Sequence, residues 1–230
     1  MGEEAPKLDI STFLLSSIHD MKNSMGVMAA YLQDALSDRA ESARETRRNT
    51  AQALYEAKRV TDHLVQLLAL YKIDQAFYPF DPQDHALADL AQEAMARVVD
   101  LAEMRGIELA SDCPEALYGW FDHELVLGVV VQALHNALRY ANGRVRLAVR
   151  GHEVGVRIRI EDDGPGYPDF LLAQGNALEW GIRFETGSTG LGLYFAAVVA
   201  GMHKGAGRVG RIHLENGGDL GGGIFMLELP

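Results

Sequence analysis

From Leu14 onward, apolar residues fall at Leu14, Ile18, Met21, Met25, Met28, Leu32 and Ala35, in alternating steps of four and three. That spacing keeps one stripe turned toward a partner helix, so it predicts a helix of a bundle. Ser37 and Asp38 interrupt the pattern. A second periodic segment, starting near Ser42, then places Leu54, Ala57, Thr61, Leu64, Leu68 and Tyr71 at the same spacing. The two segments are expected to form an antiparallel hairpin. A pair of helices buries only one seam against each other, and Val60 and Leu67 add apolar surface to the second helix. A second copy of the chain is therefore expected to complete a four-helix bundle.

The stretch Ala76–Asp84, AFYPFDPQD, ends the helical pattern, because each of its two prolines disfavours helix at the residue before it. This predicts a helical hairpin over residues 1–75, a linker over 76–84 and a second domain over 85–230. With 230 residues, 48% of them hydrophobic and 23% charged, the chain is long enough for two modest globular domains. In the second domain a helix is expected from about His85 to Arg105 and an apolar one over Glu124–Tyr140. Arg144–Arg150 and Val154–Ile160 alternate as two strands joined by Gly151-His152-Glu153. A further helix is expected from Leu191 to His203, and RIHLEN and GIFMLELP form a closing hairpin. Helices alternating with antiparallel strands give an α/β sandwich with helices on one face of the sheet.

Other features narrow the setting. The one cysteine, Cys113, leaves no intramolecular disulfide, and no secretory pattern precedes the first helix, so a reducing, cytoplasmic environment is expected. The longest apolar stretches are shorter than the roughly 20 residues a membrane helix needs. A formal net charge of -11 argues against binding nucleic acid through a basic field.

Three segments of the second domain carry chemistry. In EDDGPG, residues 161–166, carboxylates at a strand end run into a glycine turn, where Asp162 suits an exocyclic amine and the glycines permit close backbone approach. In ETGSTGLGL, residues 185–193, Gly187, Gly190 and Gly192 precede a helix whose free amides suit a phosphate. Asn136 interrupts the apolar helix QALHNALRYA and offers an oxygen suited to magnesium. Taken singly, each also reads as an ordinary acidic turn, a glycine-rich helix start or a satisfied core amide.

Taken together and in this order, HNALRYA, EDDGPG and GSTGLGL resemble the asparagine box and glycine boxes of the sensor histidine kinases. The ATP-binding domain of that family shares its fold with gyrase and Hsp-type chaperone ATPases. The resemblance runs from about Ser11 to Pro230. It implies a Bergerat-type ATP-binding domain following a dimeric four-helix bundle. Asn136 would hold magnesium, Asp162 would recognise adenine, and Gly164 and Gly166 would shape the adjoining turn. Gly187, Gly190 and Gly192 would line the triphosphate, with Arg139 and Tyr140 near the nucleotide. The sequence departs from the family at Gln132, where an asparagine is common. It departs again in a short ATP lid, Tyr167–Thr186, where Arg183-Phe184 stands for a fuller phenylalanine box.

The hairpin segment IHDMKN, residues 18–23, is similar to the phosphoacceptor box of the same family. His19 follows the seam residue Ile18 at the edge of the apolar stripe. Asp20 is the natural acceptor for one ring nitrogen, which fixes the tautomer for attack through the other. Asn23 lies one turn further along the same face. The resemblance implies a cytoplasmic, homodimeric catalytic core that uses ATP and magnesium to phosphorylate His19. The phosphoryl group would pass to an aspartate of a response-regulator receiver domain, and Asn23 would serve dephosphorylation of that regulator. Two alternatives stay open: a histidine phosphotransferase with a degenerate ATPase-like domain, and a scaffold that pairs with another kinase. The remaining seven histidines have no neighbours in sequence that suggest chemistry.

Overall fold

A computed structural model of the protein describes residues 10–36, 43–152, 155–172 and 191–230. Residues 10–36 and 43–78 fall in one compact unit, and residues 79–152, 155–172 and 192–230 in another.

The first unit consists of two long helices packed against each other, α1 (Ile10–Leu36) and α2 (Ala43–Asp74). The apolar spacing of α2 does not face α1. Leu54 is 59% exposed and Leu68 53%, and Leu64 and Tyr71 are exposed as well. Among the described side chains of α2, those buried are Asn49, Ala53, Glu56, His63 and Gln66, mostly polar. Asn49, Glu56 and His63 recur every seven residues, so the same heptad period describes a second face, rotated from the apolar one. On α1, Met21 and Ser24 are buried while Met25 and Leu32 are exposed. Heptad spacing identifies an apolar stripe, but it does not say which neighbour covers that stripe. Glu56 is held in its buried position by an ion pair with Arg59 at 2.8 Å.

α2 stops on a left-handed residue, Ala76, with φ 56°. The Phe77 N–H bonds the Lys72 carbonyl at 2.8 Å and the Ala76 N–H bonds Ile73 at 3.0 Å, satisfying carbonyls that the helix end would otherwise orphan.

The second unit begins with β1 (Gln83–Ala86), which pairs antiparallel with β3 (Tyr118–Phe121). This corrects the expected helix start at His85: His85 lies in β1, and α3 spans Leu87–Arg105. The remaining elements are β2 (Glu108–Asp112), α4 (His123–Tyr140), β4 (Arg144–His152), β5 (Gly155–Asp162), α5 (Asp169–Leu172), α6 (Leu191–Met202), the short β6 (Lys204–Gly205) and β7 (Arg208–Val209), β8 (Arg211–Asn216) and β9 (Gly223–Leu229).

Five strands form one sheet in the order β2-β4-β5-β9-β8. The β2–β4 pair is parallel and the other neighbours are antiparallel, so the sheet is mixed and not wholly antiparallel as the strand pattern suggests. A parallel pair needs a long crossover, and here β3 and α4 lie between its two strands in sequence. Strand alternation puts Val145, Leu147, Val149, Val156, Ile158, Ile160, Phe225 and Leu227 in the core. α3 and α4 cover that side: α3 packs on β2, and α4 packs on β4 and β5. α6 lies against α4, where the Phe195 ring fills the space beside Gly128.

The opposite face carries ion pairs, one within β5 (Arg159 with Glu161) and the others across neighbouring strands. Glu161 receives Arg146 at 2.5 Å and Arg159 at 2.6 Å; Glu228 receives Arg157 at 2.5 Å and Arg211 at 2.7 Å. The arginine guanidinium groups hold Glu228 below the usual carboxylate range despite the opposing effect of burial.

At the entrance to α4, Asp122 Oδ1 caps the helix by accepting from Leu125 N at 3.1 Å. Its Oδ2 accepts from Asp81 N at 3.1 Å. The Asp122 N–H in turn donates to His203 Nε2 at 3.0 Å. Burial lowers the His203 pKa, and its ring joins the end of α6 to the start of α4. His203 is thus a satisfied core histidine.

Candidate functional site

The sequence of α4 explains why a polar stripe survives on a helix that is buried over most of its circumference. Ten of its residues are buried, from Leu125 to Leu138. Gln132 and Asn136 are only half-buried, and Arg139 and Tyr140 are exposed. Steps of four and three put these residues along one side of the helix. The Arg139 guanidinium stands 5.5 Å from the centroid of the Tyr140 ring.

Two of the expected glycines meet this stripe. A Cβ on Gly164 would stand 2.4 Å from the Tyr140 carbonyl oxygen, so the turn after β5 lies directly against the end of α4. A Cβ on Gly192 would stand 2.8 Å from Gln132 Nε2, so the start of α6 lies beside the other part of the stripe. Gln132, the departure from the family pattern, therefore sits at a contact made close by glycine. Gly187 and Gly190 lie outside the described residues, as do most of the expected lid and the Arg183-Phe184 pair.

The three consecutive acids of EDDGPG take three separate positions. Glu161 and Asp162 point to opposite faces because a strand alternates. Glu161, 1% exposed, belongs to the ion pairs of the outer face. Asp163 Oδ1 accepts from the backbone of Asn142, Gly143 and Arg144 at 2.9–3.0 Å. Burial raises Asp163, but those N–H groups together hold its carboxyl below the usual range.

Asp162, 6% exposed, points inward. Its Oδ1 accepts from Gly164 N at 2.8 Å and from Gly223 N at 3.2 Å. Oδ2 takes part in neither bond. Burial pushes the Asp162 carboxyl up, against the lowering effect of those two donors. A desolvated carboxylate with one oxygen already fixed suits a ligand that brings a hydrogen-bond donor.

Sequence reading missed the β8–β9 connection, residues 216–223. Gly222 N donates to the Asp162 carbonyl at 3.1 Å, and a Cβ there would stand 2.5 Å from that oxygen. Asp219 N donates to Glu161 Oε1 at 3.0 Å, and Gly218 lies against the same carboxylate. The run NGGDLGGG was the available signal, since so many glycines in one connection imply close backbone packing. Tyr167 was also missed as a neighbour of Asp162. Burial, with the charges of Asp162 and Tyr140 adding, pushes its phenol pKa up.

On the helical unit, His19, Asp20 and Asn23 all lie within α1. The side chains of His19 and Asp20 fall outside the described ones; Asn23 is exposed. Among the described residues, no helix is long and apolar enough to cross a membrane.

Comparison with known proteins agrees with this arrangement. Residues 122–230 match the family described as histidine kinase-, DNA gyrase B- and HSP90-like ATPases. The chain is 27% identical over 228 residues to the sensor histidine kinase RppB of Synechocystis sp., covering 95% of this chain and 48% of that protein. It is 28% identical over 206 residues to the sensor-like histidine kinase SenX3 of Mycobacterium tuberculosis, covering 86% and 49%. The chain thus spans about half the length of these curated relatives. Among solved structures, the histidine kinase AdeS of Acinetobacter baumannii is similar in fold, with a TM-score of 0.62 at 15% identity over 92% of this chain and 96% of that one. With the asparagine helix, the buried aspartate and the glycine turn in one place, residues 122–230 form an ATP-binding domain of the histidine kinase-, gyrase B- and HSP90-like ATPase family, in a chain that is similar to sensor histidine kinases over most of its length.

Proposed function

We propose that the chain uses ATP to phosphorylate His19 and passes the phosphoryl group to an aspartate on a response-regulator receiver domain, acting as a homodimer. The observation that carries this reading is the inward, desolvated Asp162 beside the polar stripe of α4, in a chain whose first helix bears IHDMKN. Asp162 is the residue for the adenine amine, Arg139 and Tyr140 flank the nucleotide, and Gly164 and Gly166 shape the turn beside it. Gly187, Gly190 and Gly192 are assigned to the triphosphate.

Asn136 is the residue that would hold magnesium, which when bound neutralises charge on the phosphates. One amide oxygen suits an ion that takes most of its ligands from water and substrate phosphates. Among the described residues, no group of three or more His, Cys, Asp or Glu offers another metal cage.

In the transfer, one neutral imidazole nitrogen of His19 attacks the γ-phosphorus. The N–P bond forms as the bond from that phosphorus to the bridging oxygen breaks, and ADP leaves with the electron pair. Asp20 accepts a hydrogen bond from the other ring nitrogen and stabilises the positive charge that develops there. The protein's contribution is mainly positioning and electrostatics. The exposed apolar face of α2 supports a dimer through the hairpin, because Leu54, Leu64, Leu68 and Tyr71 stay in water in a single copy.

Incubation of the purified chain with labelled ATP and magnesium tests the reading. An acid-labile, alkali-stable label is expected, lost in His19→Gln while ATP binding persists. Label retained on that variant would sink the assignment of His19.

A further inference from the structure

Asn216, the last residue of β8, makes a two-way connection to Tyr167, 49 residues away. Its Oδ1 accepts from the Tyr167 N–H at 2.7 Å, and its Nδ2 donates to the Tyr167 carbonyl at 2.8 Å. A backbone N–H only donates and a carbonyl only accepts, so these partners fix which way the amide points. Gly166 lies beneath that amide with φ 81°, and a Cβ on it would stand 2.7 Å from both Cγ and Oδ1 of Asn216. The glycine and the amide therefore form one close-packed unit, in which the side chain supplies the pairing that a neighbouring strand would otherwise give.

The position of this unit matters because Asp162 is held from two directions. Gly164 N, at the near end of the turn, and Gly223 N, at the far end of the β8–β9 connection, both donate to Oδ1. Asn216 ties the other end of that turn to the other end of that connection. The two segments that hold the carboxylate are thereby fastened to each other. With Oδ1 engaged by both N–H groups, Oδ2 is the oxygen left to read an exocyclic amine.

We infer that Asn216 is a positioning residue for nucleotide selection: by clamping Tyr167 it holds Asp162 in the orientation that favours a 6-aminopurine over a 6-oxopurine. This rests on the reading of the site as one for ATP. Asn216 itself touches no ligand in this account. Its loss frees the turn, lets the carboxylate rotate, and weakens the contact that only the amino group makes.

The test is titration of the whole chain with ATP and with inosine triphosphate, each with magnesium, alongside thermal melting. The parent is expected to prefer ATP. Asn216→Ala should lower that preference by roughly fivefold or more, as expected for loss of a contact worth about one hydrogen bond, with inosine triphosphate affinity nearly unchanged. Asn216→Asp preserves the size and Oδ1 but turns an oxygen toward the Tyr167 carbonyl, and it should lower the preference as well. A merely structural role would depress both nucleotides in parallel, and that result, or an unchanged ratio, overturns the inference. So does failure of both variants to show a folded melting transition, which would make the clamp a requirement for folding alone. If the parent binds neither nucleotide, the ATP reading itself fails. If the parent binds both equally, Asp162 does not read the amine, and the inference fails while nucleotide binding stands.

Discussion

Gly164 and Tyr140 are in backbone contact: the space for a side chain on the glycine is filled by the tyrosine's carbonyl oxygen, 2.4 Å from where a Cβ would sit. Backbone cannot move aside as a flexible side chain can, so this contact sets the spacing between the end of α4 and the turn carrying Asp162. Gly164→Ala is expected to cost about 1–3 kcal/mol of stability through overpacking and to weaken ATP binding. Denaturant unfolding and nucleotide titration check both effects. Parent-like values in both would remove the contact from any account of the site.

Asp162→Asn is expected to separate stability from recognition. Burial raises the folded-state pKa of Asp162, so folding favours its protonated form. That contribution is fully present below the ordinary carboxylate value and is lost as pH rises through the raised one. At neutral pH the ionised group therefore opposes folding in the absence of a donor ligand. The amide should raise the melting temperature at pH 8 by roughly 1–4 °C, the scale of a change near one kcal/mol in a domain of this size. The gain should shrink as pH falls into the carboxylate range, and ATP binding should fall at every pH. Melting below the parent at pH 8 would contradict this sign.

Leu68→Asp is expected to break assembly and leave the second unit folded. Leu68 is exposed on α2 in one copy. If a second copy covers it, an unpaired charge there costs about several kcal/mol. Sedimentation should show the parent as a dimer at micromolar concentration and the variant as a monomer. A dimeric variant would place the interface on another face.

We propose that Asn23 serves dephosphorylation of the regulator, so Asn23→Ala is expected to separate that reaction from phosphorylation of His19. Asn23 lies one helical turn after His19 in α1 and is exposed. An amide that both donates and accepts can orient the water that attacks an acyl phosphate on the regulator's aspartate. The variant should slow dephosphorylation of the regulator by about tenfold, roughly one positioning interaction, while His19 is still labelled. Equal dephosphorylation by variant and parent would return Asn23 to an ordinary solvated face.

The parts of this fold that the sequence made legible were those set by period and by local chemistry. Alternation in Arg144–Arg150 marked a strand, and a run of apolar residues marked α4. The parallel pairing of β2 with β4 was not legible, because register between distant segments leaves no local trace. Nor was the face on which Leu54, Leu64 and Leu68 lie, since heptad spacing is the same whether a stripe meets its own hairpin or another chain. In the site, Asn136, Asp162 and Gly164 stood out by their neighbours in sequence. Asn216 and Gly223 did not, because what matters about them is their distance from Tyr167 and Asp162 in space, across more than forty residues of chain.

The order of the sheet bears on how the protein is made. β9, the last strand in sequence, lies between β5 and β8 in the interior of the sheet. During vectorial synthesis, β5 emerges from the ribosome with one side unpaired and stays so until residues 223–229 follow it out. The nascent chain thus carries an open edge from the completion of β5 at Asp162 until β9 begins at Gly223, and open edges are templates for pairing with other chains. Truncation before Gly223 is expected to yield a species that chaperones retain or proteases clear, detectable as loss of soluble protein on pulse-chase labelling. The pairing of α1 with α2, which are neighbours in sequence, involves no such open strand edge.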